Sequence, residues 1–163
     1  MKEQYEKLRL LGSGGMSQVW LVKCRNDGLR YAMKMVKQEK GNSEIYRRAL
    51  DNEAFLLAGL HHPMIPKLIT YESMDHFVME YIDGVSLERY VDHNVSKHML
   101  RQWMKEVIEL LSYLHCHDIF YLDLKPQNLI LDKGGHLHLI DFGASVRKGS
   151  SQVCAMTPRL RCA

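Results

Sequence analysis

The chain is short of every feature that would take it out of the ordinary globular class. Its four cysteines, Cys24, Cys116, Cys154 and Cys162, show no paired spacing. That argues against a disulfide scaffold and for a reducing, cytoplasmic compartment. No apolar run approaches the about 20 residues needed to span a membrane, so no membrane segment is expected in this chain. Met1 to Lys7 alternates charges and lacks the apolar stretch of a signal peptide. Prolines number only 4, and no Pro- or Ser-rich linker divides the sequence. Charge of one sign is scarce as well: a formal +3 is too mild for a nucleic-acid binder. What is present is 163 residues, 46% apolar and 25% charged, enough to bury a real core of about two-thirds of the unfolded surface.

The first half reads mainly as short strands and the second as a long helix followed by strands. Tyr5 to Leu11 leads into Gly12-Ser13-Gly14-Gly15, too glycine-rich for the inside of an element. Gln18 to Lys23 and Leu29 to Val36 are strand-like, joined by the hairpin signal Asn26-Asp27-Gly28. Glu44 to Leu60 has helical periodicity, Phe77 to Tyr81 is a short strand, and Ser86 is a plausible cap for a small helix through Val91. The clearest helix runs from about Ser96 to Cys116, where Leu100, Trp103, Met104, Val107, Leu111 and Leu114 form one wide apolar face. A polar loop, a Leu129 to Leu131 strand, a Lys133-Gly134-Gly135 turn and a His136 to Ile140 strand follow. A sheet-rich part before a helical part suggests two lobes.

Four features carry chemistry, and each alone has a bland reading. The glycine stretch lies between two strands, where backbone amides can approach phosphate closely; taken alone, it reads better as a plain flexible turn. Lys34 shares a strand face with Ala32 and Val36; it is either a snorkelling surface lysine or a fixed cation facing a ligand. Glu53 sits among Ala49, Leu50, Leu56 and Leu57 at helical spacing. A carboxylate in an apolar stripe needs a partner, because burying it unpaired is costly, and Lys34 is the candidate. The fourth feature is Asp123-Leu124-Lys125-Pro126-Gln127-Asn128 followed, after a hairpin, by Asp141-Phe142-Gly143. Two acids and an amide at tight turns can chelate Mg²⁺ through oxygen and position a hydroxyl nucleophile. The pairs His61-His62, His115/His117 and His136/His138 lack a completing ligand at known spacing and read as structural or solvated.

With these motifs in this order, the sequence resembles the eukaryotic-type serine/threonine protein kinases in their bacterial form. Gly12, Gly14 and Val19 match the glycine-rich loop, with Ser17 at the third glycine position. Tyr31-Ala32-Met33-Lys34 matches the strand whose lysine holds the α- and β-phosphates, with Glu53 as its helix partner. Met79-Glu80-Tyr81-Ile82 looks like gatekeeper and hinge; Leu11, Val19, Ala32, Met79, Glu80, Tyr81 and Ile130 are then the expected nucleotide contacts. The resemblance implies Asp123 as catalytic base, Lys125 as γ-phosphate contact, and Asn128 and Asp141 as magnesium ligands. It implies ATP and Mg²⁺ as cofactors and a protein substrate, with the Lys125-Pro126 pair favouring serine and threonine over tyrosine. The fold implied is α+β and two-lobed. A complete antiparallel sheet lobe with one helix and the hinge would span 1–82, an incomplete helical lobe 83–143, and the activation segment 144–163.

Two departures from the family pattern carry expectations of their own. Tyr121-Leu122 stands where the family has His-Arg. No cation is then available there to grip a phosphorylated activation segment, so a phosphate on Ser145, Ser150, Ser151 or Thr157 is not expected to be the main switch. Tyr121 can still pack near Phe142. The chain also stops soon after Met156-Thr157-Pro158, where related bacterial kinases continue Gly-Tyr-Ala-Ala-Pro-Glu. One added nucleotide before codons for that stretch can be read as Arg-Leu-Arg-Cys-Ala-stop, which matches Arg159 to Ala163. A frameshifted kinase sequence, or a sequencing error that mimics one, is expected. The function the resemblance implies is transfer of the ATP γ-phosphate to a protein serine or threonine hydroxyl, with an inactive ATP-binding module or a non-functional truncated product as the alternatives.

Overall fold

The computed structural model describes residues 4–37, 44–73, 75–90 and 95–149. Val91, the expected end of the small helix, lies outside the described residues, as do Ser150, Ser151, Thr157 and the frameshift reading of Arg159 to Ala163. Strands β1 (Tyr5–Ser13), β2 (Ser17–Cys24) and β3 (Arg30–Val36) are followed by helix α1 (Glu44–Ala58), β4 (Leu68–Ser73) and β5 (His76–Glu80). These strands form one antiparallel sheet in the order β1-β2-β3-β5-β4. The β2–β3 hairpin turns at Gly28 (φ 72°), and the Asp27 carboxylate accepts from the Leu29 amide at 2.8 Å. Beyond the sheet come β6 (Gly84–Ser86), α2 (Leu87–Tyr90), α3 (Lys97–Cys116), β7 (Ile119–Phe120), a 3₁₀ turn (Pro126–Asn128), β8 (Leu129–Asp132), β9 (Leu137–Leu139) and β10 (Val146–Arg147). The arrangement is α+β and two-lobed: a sheet with α1, then a second part built around α3.

Both faces of β3 are buried, which explains its nearly continuous apolar sequence. Ala32 and Val36 enter the main core beneath α1, while Met33 joins Val22 and Val78 on the opposite face. On α1, Leu50, Ala54 and Leu57 recur at spacings of three and four and face the same core. That core is continuous into the second lobe through Met64, Trp103, Leu110, Leu139 and Phe142. Two polar links reinforce the junction. The Leu139 amide donates to the Met64 carbonyl at 2.8 Å, and the His61 amide donates to the Tyr113 hydroxyl at 2.8 Å.

Helix α3 starts as its sequence dictates, with the Ser96 hydroxyl capping the Met99 amide. Its wide apolar face, however, is only partly covered. Trp103, Leu110 and Leu114 are buried, whereas Leu100, Met104 and Ile108 are 52%, 56% and 59% exposed. Together with Leu87, Leu124 and Leu137 they line an apolar groove of about 340 Å³. Among the described residues no helix is long and apolar enough to cross a membrane.

Candidate active site

The strand β3 alternation aims Lys34 into the core, where it is 5% exposed. An ammonium taken so far from water needs partners, and it has two. Its Nζ lies 2.6 Å from a Glu53 carboxylate oxygen on α1 and 2.6 Å from Asp141 Oδ1 on the β9–β10 connection. Glu53 is buried as well and accepts the Phe142 amide at 3.1 Å. Three segments far apart in sequence therefore meet at one cation. Burial alone would push the Lys34 ammonium down, but the two carboxylates outweigh it and hold it above its ordinary value. Burial pushes Glu53 up, with the Asp141 charge adding to that and Lys34 opposing it. Asp141 is half-exposed, and Lys34 holds it below the usual carboxylate range against the effect of burial. We read the cluster as a charged lysine held equally closely by both acids, with Glu53 the costlier of the two to ionise.

Asp141 adopts a left-handed backbone conformation, φ 63°. For a residue other than glycine that is uncommon, and such strain gathers at functional sites where the surroundings enforce it. Here Gly143 makes room: its amide donates to Asp141 Oδ1 at 3.3 Å. The neighbouring Phe142 is wholly buried, and Tyr121 meets its ring edge-to-face at 5.3 Å. The Tyr121 hydroxyl also donates to the Ile140 carbonyl at 2.7 Å. Sequence reading anticipated the ring contact but not this hydroxyl bond, because nothing local in Tyr121-Leu122-Asp123 points to residue 140. Burial, reinforced by the Asp141 charge, keeps the phenol neutral far above its usual range.

The second acid is placed by the 3₁₀ turn. Asn128 is buried and its Nδ2 donates to the Asp123 main-chain carbonyl at 2.9 Å and to its carboxylate at 3.0 Å. The side-chain oxygen of Asn128 is then its remaining acceptor. Lys125 lies beside the same carboxylate, 2.5 Å from Asp123 Oδ2. Leu122, exposed next to Asp123, contributes no charge.

The remaining candidates surround these two groups. Ala32 and Met79 face each other across β3 and β5 in the core, and Leu11, Val19 and Tyr81 pack half-buried against that core. Val19 pairs with Lys34 in register. Ile130 is half-buried on β8, paired with Ser86 of β6. Glu80 is exposed at the end of β5, where its amide donates to the Lys67 carbonyl at 2.9 Å. Between β1 and β2 the Gly14 amide donates to the Ser17 carbonyl at 2.9 Å. A Cβ added at Gly12 would meet nothing within 4 Å, so the chain's own packing does not require glycine there. Of the predicted serines, Ser145 is buried beside the Phe142 turn, its amide donating to the Phe142 carbonyl at 2.9 Å.

A family model described as a protein kinase domain matches residues 5–159. The chain is 32% identical over 146 residues to CBL-interacting serine/threonine-protein kinase 19 of Arabidopsis thaliana, covering 87% of this chain and 30% of that protein. It is 31% identical over 159 residues to the cAMP-dependent protein kinase catalytic subunit of Schizosaccharomyces pombe, covering 94% of this chain and 31% of that protein. Probable serine/threonine-protein kinase PknB of Lactococcus lactis is 30% identical over 147 residues, 86% of this chain and 23% of its own length. The chain thus spans under a third of the length of each of these relatives.

Proposed function

This chain belongs to the protein kinase domain family, and from that premise we propose that it binds MgATP between its two lobes. Its reaction is transfer of the γ-phosphoryl group to a serine or threonine hydroxyl of a protein, in the cytoplasm. The observation that carries this reading is the single ammonium of Lys34 shared by Glu53 and Asp141. An arrangement that brings a strand cation, a helix acid and a loop acid together at such desolvation cost is hard to account for by stability alone.

In this reading Lys34 meets the α- and β-phosphates, and Glu53 holds it in place. Leu11, Val19, Ala32, Met79, Tyr81 and Ile130 line the adenine side, with backbone groups at Glu80 and Tyr81 as its polar contacts. The free space above Gly12 supports a close approach of phosphate to the loop. Asn128 and Asp141 supply hard oxygen donors of the kind magnesium takes. Among the described residues no three His, Cys, Asp or Glu side chains converge as a cage. The metal would therefore share these two ligands with phosphate and water oxygens, and would neutralise charge on the phosphates. Asp123, oriented by Asn128 and Lys125, positions the attacking hydroxyl and accepts its proton; Lys125 meets the γ-phosphate.

Transfer of labelled phosphate from ATP to a generic protein substrate tests the reading. Activity lost in both Asp123→Asn and Lys34→Met supports it, and activity unchanged by either overturns it. A second reading, nucleotide binding without transfer, rests on the same convergence at Lys34, which serves binding whether or not transfer follows. Tight MgATP binding with no transfer would select it.

A further inference from the structure

Helix α1 carries Glu53, yet most of what holds it is apolar. Leu50, Ala54 and Leu57 pack into the core and turn one face of the helix inward, but such contacts are non-directional and set the rotation only coarsely. Directional bonds refine it. One set is the Glu53 cluster itself. The other lies across the helix. Arg47 and Asp51 are one turn apart and share a side, while Glu53, two residues past Asp51, points roughly 200° around the axis. Arg47 Nε forms an ion pair with the Asp75 carboxylate before β5 at 2.9 Å without hydrogen-bond alignment, so the directional contact is the Tyr71 hydroxyl of β4, which donates to Asp51 Oδ1. Strand β4 is the sheet edge, two strands from β3, so the two attachments stand on the order of 10 Å apart across the sheet. The β4–β5 register shifts between Tyr71 and Ser73, and irregularities of this kind re-aim a side chain. The hydrogen bond to Asp51 also pushes the Tyr71 phenol up to about 12.

We propose that Tyr71 and Asp51 are positioning residues that set the rotation of α1 and so deliver Glu53 to Lys34. Only the nucleotide-binding half of the test below rests on the kinase reading of Lys34. The exchange half stands without it.

The test is amide hydrogen exchange over residues 50–57 together with MgATP affinity, in wild type, Tyr71→Phe, Asp51→Ala and Asp51→Asn. The bond is solvent-exposed, so its loss counts as that of an ordinary hydrogen bond and predicts exchange about 3- to 10-fold faster over α1 in Tyr71→Phe and Asp51→Ala. The β2 and β3 amides are expected to be unchanged. Asp51→Asn keeps a carbonyl acceptor and restores protection to within about twofold of wild type. MgATP affinity falls by a similar factor in Tyr71→Phe, and falls no further when Tyr71→Phe is added to Glu53→Gln, because the hydroxyl acts through Glu53. Exchange over α1 equal to wild type in both Tyr71→Phe and Asp51→Ala overturns the proposal, and so do additive losses in the double variant. Should wild type bind no MgATP, the kinase reading fails, and the exchange result alone decides whether the brace exists.

Discussion

At the scale of single residues, the site turns on a charge that the sequence makes expensive. Lys34 is placed inward by its strand, and the cost is met by Glu53 and Asp141. Lys34→Met leaves Glu53 buried without its cation. The expected loss is about 3 kcal/mol of unfolding free energy, read from a urea midpoint at unchanged slope. Asp141 gives a pH signature. Its folded-state value is depressed below the ordinary 3.8, so its contribution is fully present above 3.8 and disappears as the pH falls toward the depressed value. Wild-type stability should therefore drop more steeply on acidification below pH 3.8 than that of Asp141→Asn. Equal slopes would contradict the assignment. Lys34 and Glu53 could be read from sequence because each breaks a periodic apolar pattern, and a charge in such a stripe implies a partner. The Tyr121 hydroxyl bond to Ile140 could not, since the acceptor is a main-chain carbonyl nineteen residues away.

At the scale of elements, the long and strongly patterned ones were legible, and so was the three-residue β9, because the Lys133-Gly134-Gly135 turn announces it; β4, β6, β7 and β10 were not. β2, β3, α1 and α3 carry their own periodicity, and Ser96 marks its helix start chemically. β4 hid behind two register shifts that interrupt strand alternation. β6, β7 and β10 exist only because distant segments pair, Gly84 with Asp132 and Val146 with Phe120; local propensity has nothing to say about them. The β6 pairing explains a glycine the sequence left unremarked. A Cβ at Gly84 would lie 2.2 Å from the Leu131 carbonyl oxygen and 2.7 Å from Ile130 Cγ2. Gly84→Ala must push β6 off β8, at an expected cost of about 1–3 kcal/mol. Because Ile130 is also an expected nucleotide contact, the same substitution should weaken MgATP binding. An unaltered melting temperature would show that the strands do not approach as described.

At the scale of the whole molecule, one core runs through both lobes, yet the apolar stripe of α3 is left half open at Leu100, Met104 and Ile108. Sequence alone gave the stripe but not which part of it is covered, because coverage depends on what packs beside it. Exposed apolar surface of this kind promotes association. Met104→Glu with Ile108→Lys should cut binding of a hydrophobic dye and raise solubility, with little change in melting temperature. A large destabilisation would mean the stripe is covered after all. The two-lobed arrangement also sets the central claim, that the convergence on Lys34 is one wall of a nucleotide site. Melting of the wild-type chain at rising MgATP tests it most directly. Ligand at a hundred times its dissociation constant adds about 2.7 kcal/mol, or about 5–10 °C for a chain of this size. The account predicts that rise in wild type and its absence, relative to their own unliganded melts, in Lys34→Met and Asp141→Asn. A folded wild-type chain whose melting temperature does not move at millimolar MgATP would contradict it.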